Sequence, residues 1–285
     1  NPVKWAAEVL DWHCWDPEGT TWARKDPEEH QAIMAVDPDR RSKSHRPYQH
    51  AMLACTSTRK VFRCGRQIGK TAVLGVAMLF HMFTNSDFKI VLITPYQSQI
   101  ELIFKNLEDL IRNSPYLGNS IKRSVKAPNY QLELHNGSLI KGFTAGTKSG
   151  GGAGAARGSS ANMLVFDEAD YLDKADMDAA LSIITNFPNA SVWMSSTPSG
   201  KREKYFETCL SPGWKEFYYP SYVNPNWTEQ LDRDFRTILT EIGYKHEVLA
   251  DFGEQEEGVF QVPHVEAAQV EYNYADMKPQ STWHY

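Results

Sequence analysis

CGRQIGKT, running from Cys64 to Thr71, is the stretch whose reading decides the fold. It follows the phosphate-loop pattern G-x-x-x-x-G-K-[ST], with Gly69, Lys70 and Thr71 filling the second half and Cys64 standing where the first glycine is usual. Gly65, Arg66, Gln67 and Gly69 would present backbone N–H groups to phosphate oxygens at a helix N-terminus. Lys70 would reach the β- and γ-phosphates, and the Thr71 hydroxyl would ligate Mg²⁺. The pattern also arises by chance, and a loop that merely caps a buried helix would carry the same residues. Its flanks favour the phosphate loop. RKVFRC (Arg59 to Cys64) reads as a strand, and TAVLGVAMLFHMF (Thr71 to Phe83), apolar nearly all round, reads as a buried helix.

MLVFDEAD (Met163 to Asp170) is an apolar strand ending in adjacent carboxylates, about one hundred residues further on. In phosphate-loop NTPases a strand-terminal aspartate holds Mg²⁺, the position of Asp167, and Glu168 is then placed to polarise an attacking water. The bland alternative is that both carboxylates cap a following helix. The two motifs in this order predict an NTPase that binds ATP and Mg²⁺ and hydrolyses the nucleotide.

The 285 residues are 41% hydrophobic, enough for one sizeable α/β core and a smaller appendage. A net charge of −5 carries no global basic signature, so any nucleic-acid contact must come from local patches. Cys14, Cys55, Cys64 and Cys209 show neither a C-x-x-C pair nor zinc spacing and read as reduced thiols. No apolar run approaches the ~18 residues of a membrane span.

Residues 1–45 form an aromatic and charged arm with Trp5, Trp12, Trp15 and Trp22. VKWAAEVLDW reads as a short amphipathic helix, and the tryptophans either mark a partner surface or, more simply, pack the arm onto the body. RRSKSHR (Arg40 to Arg46) is a basic cluster, a DNA-phosphate contact or a solvated charge run. KIVLITP (Lys89 to Pro95) and SVWMSSTP (Ser191 to Pro198) read as strands, and QSQIELIFKNLEDLIRN (Gln97 to Asn113) as a helix. QLELHNGSLIKGF reads as a hairpin turning at Asn136-Gly137. Residues 146–158 are a glycine-rich loop carrying Arg157, either an arginine finger or a loop anchor. Arg66 lies inside the phosphate loop, where a cation would sense the γ-phosphate or pair with a surface carboxylate. The hydroxyls of SSTP (Ser195 to Pro198) would lie beside the γ-phosphate or form an ordinary turn. Beyond Gly200, EQLDRDFRTILTEIG and YKHEVLADFG read as helical runs before an acidic turn, EQEEG, and the boundary between core (46–199) and appendage (200–285) is expected near Ser199 to Gly200.

The string DEAD invites a helicase reading, which would need a second RecA-like domain of ~150 residues where about 85 follow Gly200. The set GRQIGKT with Arg66, Arg157-Gly158, VFDEAD and SSTP instead resembles the ATPase domain of the large terminase, the DNA-packaging motor of tailed bacteriophages. RPYQ (Arg46 to Gln49) is similar to that family's adenine-recognising segment, with Gln49 as the base contact. The resemblance covers roughly residues 46–260. It implies an α/β fold of RecA-like, ASCE type: a mostly parallel sheet flanked by helices, with residues 200–285 as a small lid and the start of a linker toward a nuclease domain not found here. It further implies that Lys70 and Thr71 bind phosphate and Mg²⁺, Asp167 holds Mg²⁺, Glu168 activates water, and Arg66 senses the γ-phosphate. Arg157 would reach a neighbouring subunit's nucleotide in a homo-oligomeric ring. Double-stranded DNA, a portal protein and a small terminase subunit are the implied partners, without a membrane. The implied place is the host cytoplasm, docked on the procapsid. No strand-borne aspartate cluster follows Gly200, so DNA cleavage by this chain is not expected. A helicase-like translocase and a nucleotide-gated binding module are the alternatives.

Overall fold

A computed structural model describes residues 1–12, 46–126, 129–145, 158–224 and 226–253. Arg157 and the glycine-rich loop, Trp15, Trp22, the basic cluster before Arg46 and the EQEEG turn therefore lie outside the described residues.

Strands β1 (Arg59–Cys64), β2 (Lys89–Thr94), β6 (Met163–Asp167) and β7 (Ser191–Ser196) are buried almost throughout because both faces of their sheet are covered. Successive side chains alternate between two cores. Phe62, Ile90, Leu92, Met163, Val165 and Trp193 enter one, while Val61, Val91, Ile93, Leu164, Phe166 and Met194 enter the other. With β3 (Ile121–Val125), β4 (Tyr130–Leu134), β5 (Leu139–Thr144) and β8 (Lys215–Tyr219), they form a sheet of order β3-β4-β5-β2-β6-β7-β1-β8. From β5 to β8 every pairing is parallel; β3, β4 and β5 pair antiparallel, with the expected hairpin turn at Asn136-Gly137. The mostly parallel α/β architecture expected from the sequence is the one observed.

Helices α1 (Pro2–Leu10), α2 (Pro47–Ala54), α3 (Lys70–Thr84) and α4 (Gln97–Asn113) cover the first core. The central one, α3, buries residues on every side because it is enclosed by the sheet and its three neighbours. The Asn1 side chain caps α1, accepting from the Val3 N–H at 2.9 Å. Trp5 stacks on Phe83 at 6.1 Å and meets Phe80 edge-on at 5.7 Å, and Trp12 packs against the same core. These two tryptophans thus fasten residues 1–12 to the body. The second core is covered by α5 (Lys174–Leu181) and α6 (Lys204–Leu210).

Two features differ from the sequence reading. Strand β8 lies beyond Ser199–Gly200 yet pairs with β1 along its length, Phe62 opposite Phe217, so the sheet continues past that point. The helical runs expected to reach residue 253 are α7 (Glu229–Ile238) and α8 (Glu241–Glu247). Thr240 breaks them apart, its Oγ1 accepting from the Gly243 N–H at 2.9 Å as an N-cap. After α8 the chain leaves helical geometry, with Ala250 left-handed at φ 56 and Phe252 packed on Tyr205 and Phe206. Among the described residues no helix is long and apolar enough to cross a membrane.

Candidate active site

The C-terminal ends of β1, β6 and β7 lie side by side, Asp167 opposite Ser195 and Phe62 opposite Ser195, and the loops leaving them meet in one crevice. Cys64 is the last residue of β1 and is wholly buried; burial pushes its thiol up to about 12, so it is a packing residue and no nucleophile. The steric demand for glycine falls one position on. A Cβ on Gly65 would collide with Ser221 Oγ and stand 2.6 Å from both the Ser221 nitrogen and the Val248 oxygen. Gly69 caps α3 with φ 85, a conformation glycine adopts without cost. The α3 N-terminus thereby begins directly at the loop, and a helix N-terminus is suited to binding an anion.

Lys70 lies back across this loop. Its Nζ donates to the carbonyls of Cys64 (3.2 Å) and Gly65 (3.1 Å) and to Thr197 Oγ1 (2.9 Å). Thr71 Oγ1 donates to Asp167 Oδ2 at 3.2 Å. Asp167 is only 2% exposed, and its Oδ1 has no hydrogen-bond partner among the described residues. Burial first, then the neighbouring Glu168 carboxylate, pushes its pKa up to about 6 against the pull of Lys70 and the Thr71 hydroxyl. A buried, unpartnered carboxylate oxygen beside a threonine hydroxyl suits a hard, oxygen-seeking cation, and Mg²⁺ fits here. Among the described residues no group of three His, Cys, Asp or Glu side chains could hold a metal without help.

Glu168 sits at the tip of β6 in a left-handed conformation, φ 53 and ψ 47, uncommon for a non-glycine residue. Its Oε2 accepts from Ser196 Oγ at 3.2 Å. Close by, Asp170 accepts from both the Ser199 N–H (2.5 Å) and Ser199 Oγ (2.7 Å), tying the turn after β6 to the segment after β7. A cavity of about 540 Å³ is lined by Arg66, Gly69, Lys70, Thr71, Glu168 and Thr197. Arg66 reaches across its rim to α8, where its guanidinium makes a two-point pair with Glu247, Nη2 to Oε1 at 2.8 Å. A second cavity, about 660 Å³, shares Gln67 and Gly69 with the first and contains Gln49, Arg46 and Asn224. Gln49 Nε2 donates to the Ile68 carbonyl at 2.8 Å.

The structure thus brings together Gln49, Gly65, Arg66, Gln67, Gly69, Lys70, Thr71, Asp167 and Glu168, with Ser196 and Thr197 among them. Arg157 is not among the described residues. Sequence reasoning missed Ser221, Asn224 and Glu247, which clasp the loop from the far end of the chain: Arg66 N–H donates to Glu247 O at 2.9 Å, Ser221 Oγ to Arg66 O at 2.9 Å, and Asn224 Nδ2 to Gln67 O at 2.7 Å. No local pattern announces such contacts. Tyr96 and Gln99 also line the phosphate-side cavity, and they could have been found, since they follow the C-terminal end of β2 where parallel sheets bind ligands.

The clasp sets up an expected result. Gly65→Ala places a methyl group against backbone atoms that cannot recede, and is expected to cost about 1–3 kcal/mol of stability, read as a lowered thermal midpoint. An unchanged midpoint would show that Ser221 and Val248 are free to shift.

A family model described as "Phage terminase large subunit gpA, ATPase domain" matches residues 35–231. No curated protein sequence matches. Among solved structures, the ATPase domain of the Thermus phage P74-26 large terminase is similar at 18% identity and a TM-score of 0.57, over 72% of this chain and 92% of that one. The bacteriophage HK97 large terminase is similar at 15% identity and a TM-score of 0.60, over 88% of this chain and 55% of that one. The large terminase of a thermophilic bacteriophage, solved in complex with ATP-gamma-S, aligns at 12% identity with a TM-score of 0.54, over 79% of this chain and 53% of its own. The chain spans about half the length of the last two.

Proposed function

The chain belongs to the family of phage terminase large-subunit gpA ATPase domains, which power DNA packaging into capsids, and from this premise we propose how its own residues carry ATP hydrolysis. The observation that carries the proposal is the junction of Lys70, Thr71, Asp167 and Glu168 at the C-terminal ends of β1 and β6, the parallel strands on either side of β7. Binding of ATP-gamma-S by the thermophilic-phage relative supports the same use of the site here.

In this reading Lys70 exchanges its two loop carbonyls for the β- and γ-phosphates of ATP, keeping Thr197 as its third partner. Thr71 and Asp167 hold Mg²⁺, which when bound neutralises charge on the phosphate oxygens. Glu168, oriented by the Ser196 hydroxyl, takes a proton from water as the water oxygen bonds to the γ-phosphorus; the bond to the bridging oxygen breaks and ADP leaves with it. Arg66 faces the γ-phosphate from the rim, and Gln49 contacts the base in the adjoining cavity. Arg157 supplies charge to the nucleotide of a neighbouring copy in a ring. The segment beyond β8 serves as the lid, a role supported by its backbone bond to Arg66. Double-stranded DNA is the cargo, a portal protein and a small terminase subunit are the partners, and the work takes place on the procapsid in the host cytoplasm.

The Mg²⁺ assignment has a direct test. Asp167→Asn is expected to raise the Mg²⁺ concentration for half-maximal ATPase activity at least about tenfold, the range seen when metal-site residues are altered. An unchanged Mg²⁺ dependence would place the cation elsewhere.

A further inference from the structure

Lys60 lies on β1, only 1% exposed, and no carboxylate pairs with it among the described residues. Its Nζ donates to the carbonyl oxygens of Met52 (3.1 Å) and Cys55 (2.6 Å), at the C-terminal end of α2. Beneath it the Trp193 ring of β7 lies 3.9 Å away, centroid to ammonium. The negative end of a helix and the face of an indole are the two neutral surroundings that best tolerate a buried cation. Even so, burial pulls the Lys60 pKa down to about 8. An apolar side chain of similar length would fill this space without the desolvation cost. What the ammonium adds is direction: it fixes two carbonyls of α2 relative to β1.

That direction has a target. Helix α2 carries Gln49 less than one turn before Met52, and Gln49 Nε2 donates to Ile68 O in the phosphate loop at 2.8 Å. The loop is launched by β1, the strand that bears Lys60. The contacts close a circuit from β1 through Lys60, α2, Gln49 and Ile68 back to β1. We propose that Lys60 is a positioning residue for the nucleotide site, holding α2 at the setting in which Gln49 meets both the phosphate loop and the nucleoside cavity. The proposal rests on reading Gln49 as a nucleotide contact.

A double-mutant cycle in the full chain tests it, with KM for ATP as the readout. Losing a hydrogen bond to a charged group predicts about a tenfold rise in KM for Lys60→Met. Gln49→Ala is expected to do the same, with kcat within about threefold in both. The double variant is expected to be no weaker than either single, because both break the same circuit. Multiplying effects, near a hundredfold, would overturn the coupling; so would a Lys60→Met variant with unchanged KM, or with kcat lowered instead. An unchanged KM in Gln49→Ala alone would overturn the nucleotide-contact reading first and the coupling with it. If circular dichroism shows Lys60→Met unfolded, Trp193→Phe takes its place. A two- to threefold KM rise that vanishes in the Gln49→Ala background supports the proposal, and a rise that persists there, or none at all, overturns it.

Discussion

Glu168→Gln is expected to lower kcat for ATP by about 10²–10³-fold, within the range for loss of a general base, while nucleotide affinity stays within about threefold. The substitution keeps side-chain length and still accepts from Ser196 Oγ, so position is preserved. What it removes is the capacity to take the proton from water. Lys70, Thr71 and Asp167, the proposed phosphate and cation contacts, are untouched. Single-turnover hydrolysis beside a fluorescent-nucleotide titration separates the two effects. Turnover unchanged with affinity intact would mean that the proton goes to another group.

The second large effect concerns Arg157. An arginine finger contributes about 10³–10⁵ in rate, so Arg157→Ala is expected to lose at least about 10³-fold. If Arg157 acts on a neighbouring copy, mixing Arg157→Ala protein with Lys70→Ala protein creates interfaces with both groups intact. Partial recovery of ATPase activity is then expected from two nearly inactive preparations. No recovery, under conditions where sedimentation shows rings, would count against action between copies.

The phosphate loop, β6 and the helix between Gln97 and Asn113 were legible in the sequence because each is announced locally. Glycine spacing, a carboxylate closing an apolar run, and a helical period all lie within a few residues. β8 was not legible: of Lys215 to Tyr219 only Phe217 is buried, the aromatic run Phe217–Tyr219 is three residues long, and the strand is defined by its partner β1. The same limit hid Glu247 and Ser221, whose contacts with Arg66 span 181 and 155 residues. Arg66 was expected to face phosphate or a surface carboxylate; it lies on the cavity rim and is paired with Glu247. The break at Thr240 did have a local signal, a threonine three residues before a glycine N–H, but it was masked by apolar periodicity running through it.

The place of β1 in the sheet has a consequence for biosynthesis. The strand is made early and enclosed late: its bond from Arg59 reaches a carbonyl 131 residues later, and its contact from Cys64 to Phe217 spans 153. At translation rates of about 5–20 residues per second, Val61 and Phe62 wait on the order of ten to thirty seconds for both flanking strands. During that interval the strand that launches the phosphate loop has two open edges, a natural client for chaperones. The nucleotide site is therefore among the last parts of the domain to form, and a nascent chain halted before β8 holds every motif residue without holding a site.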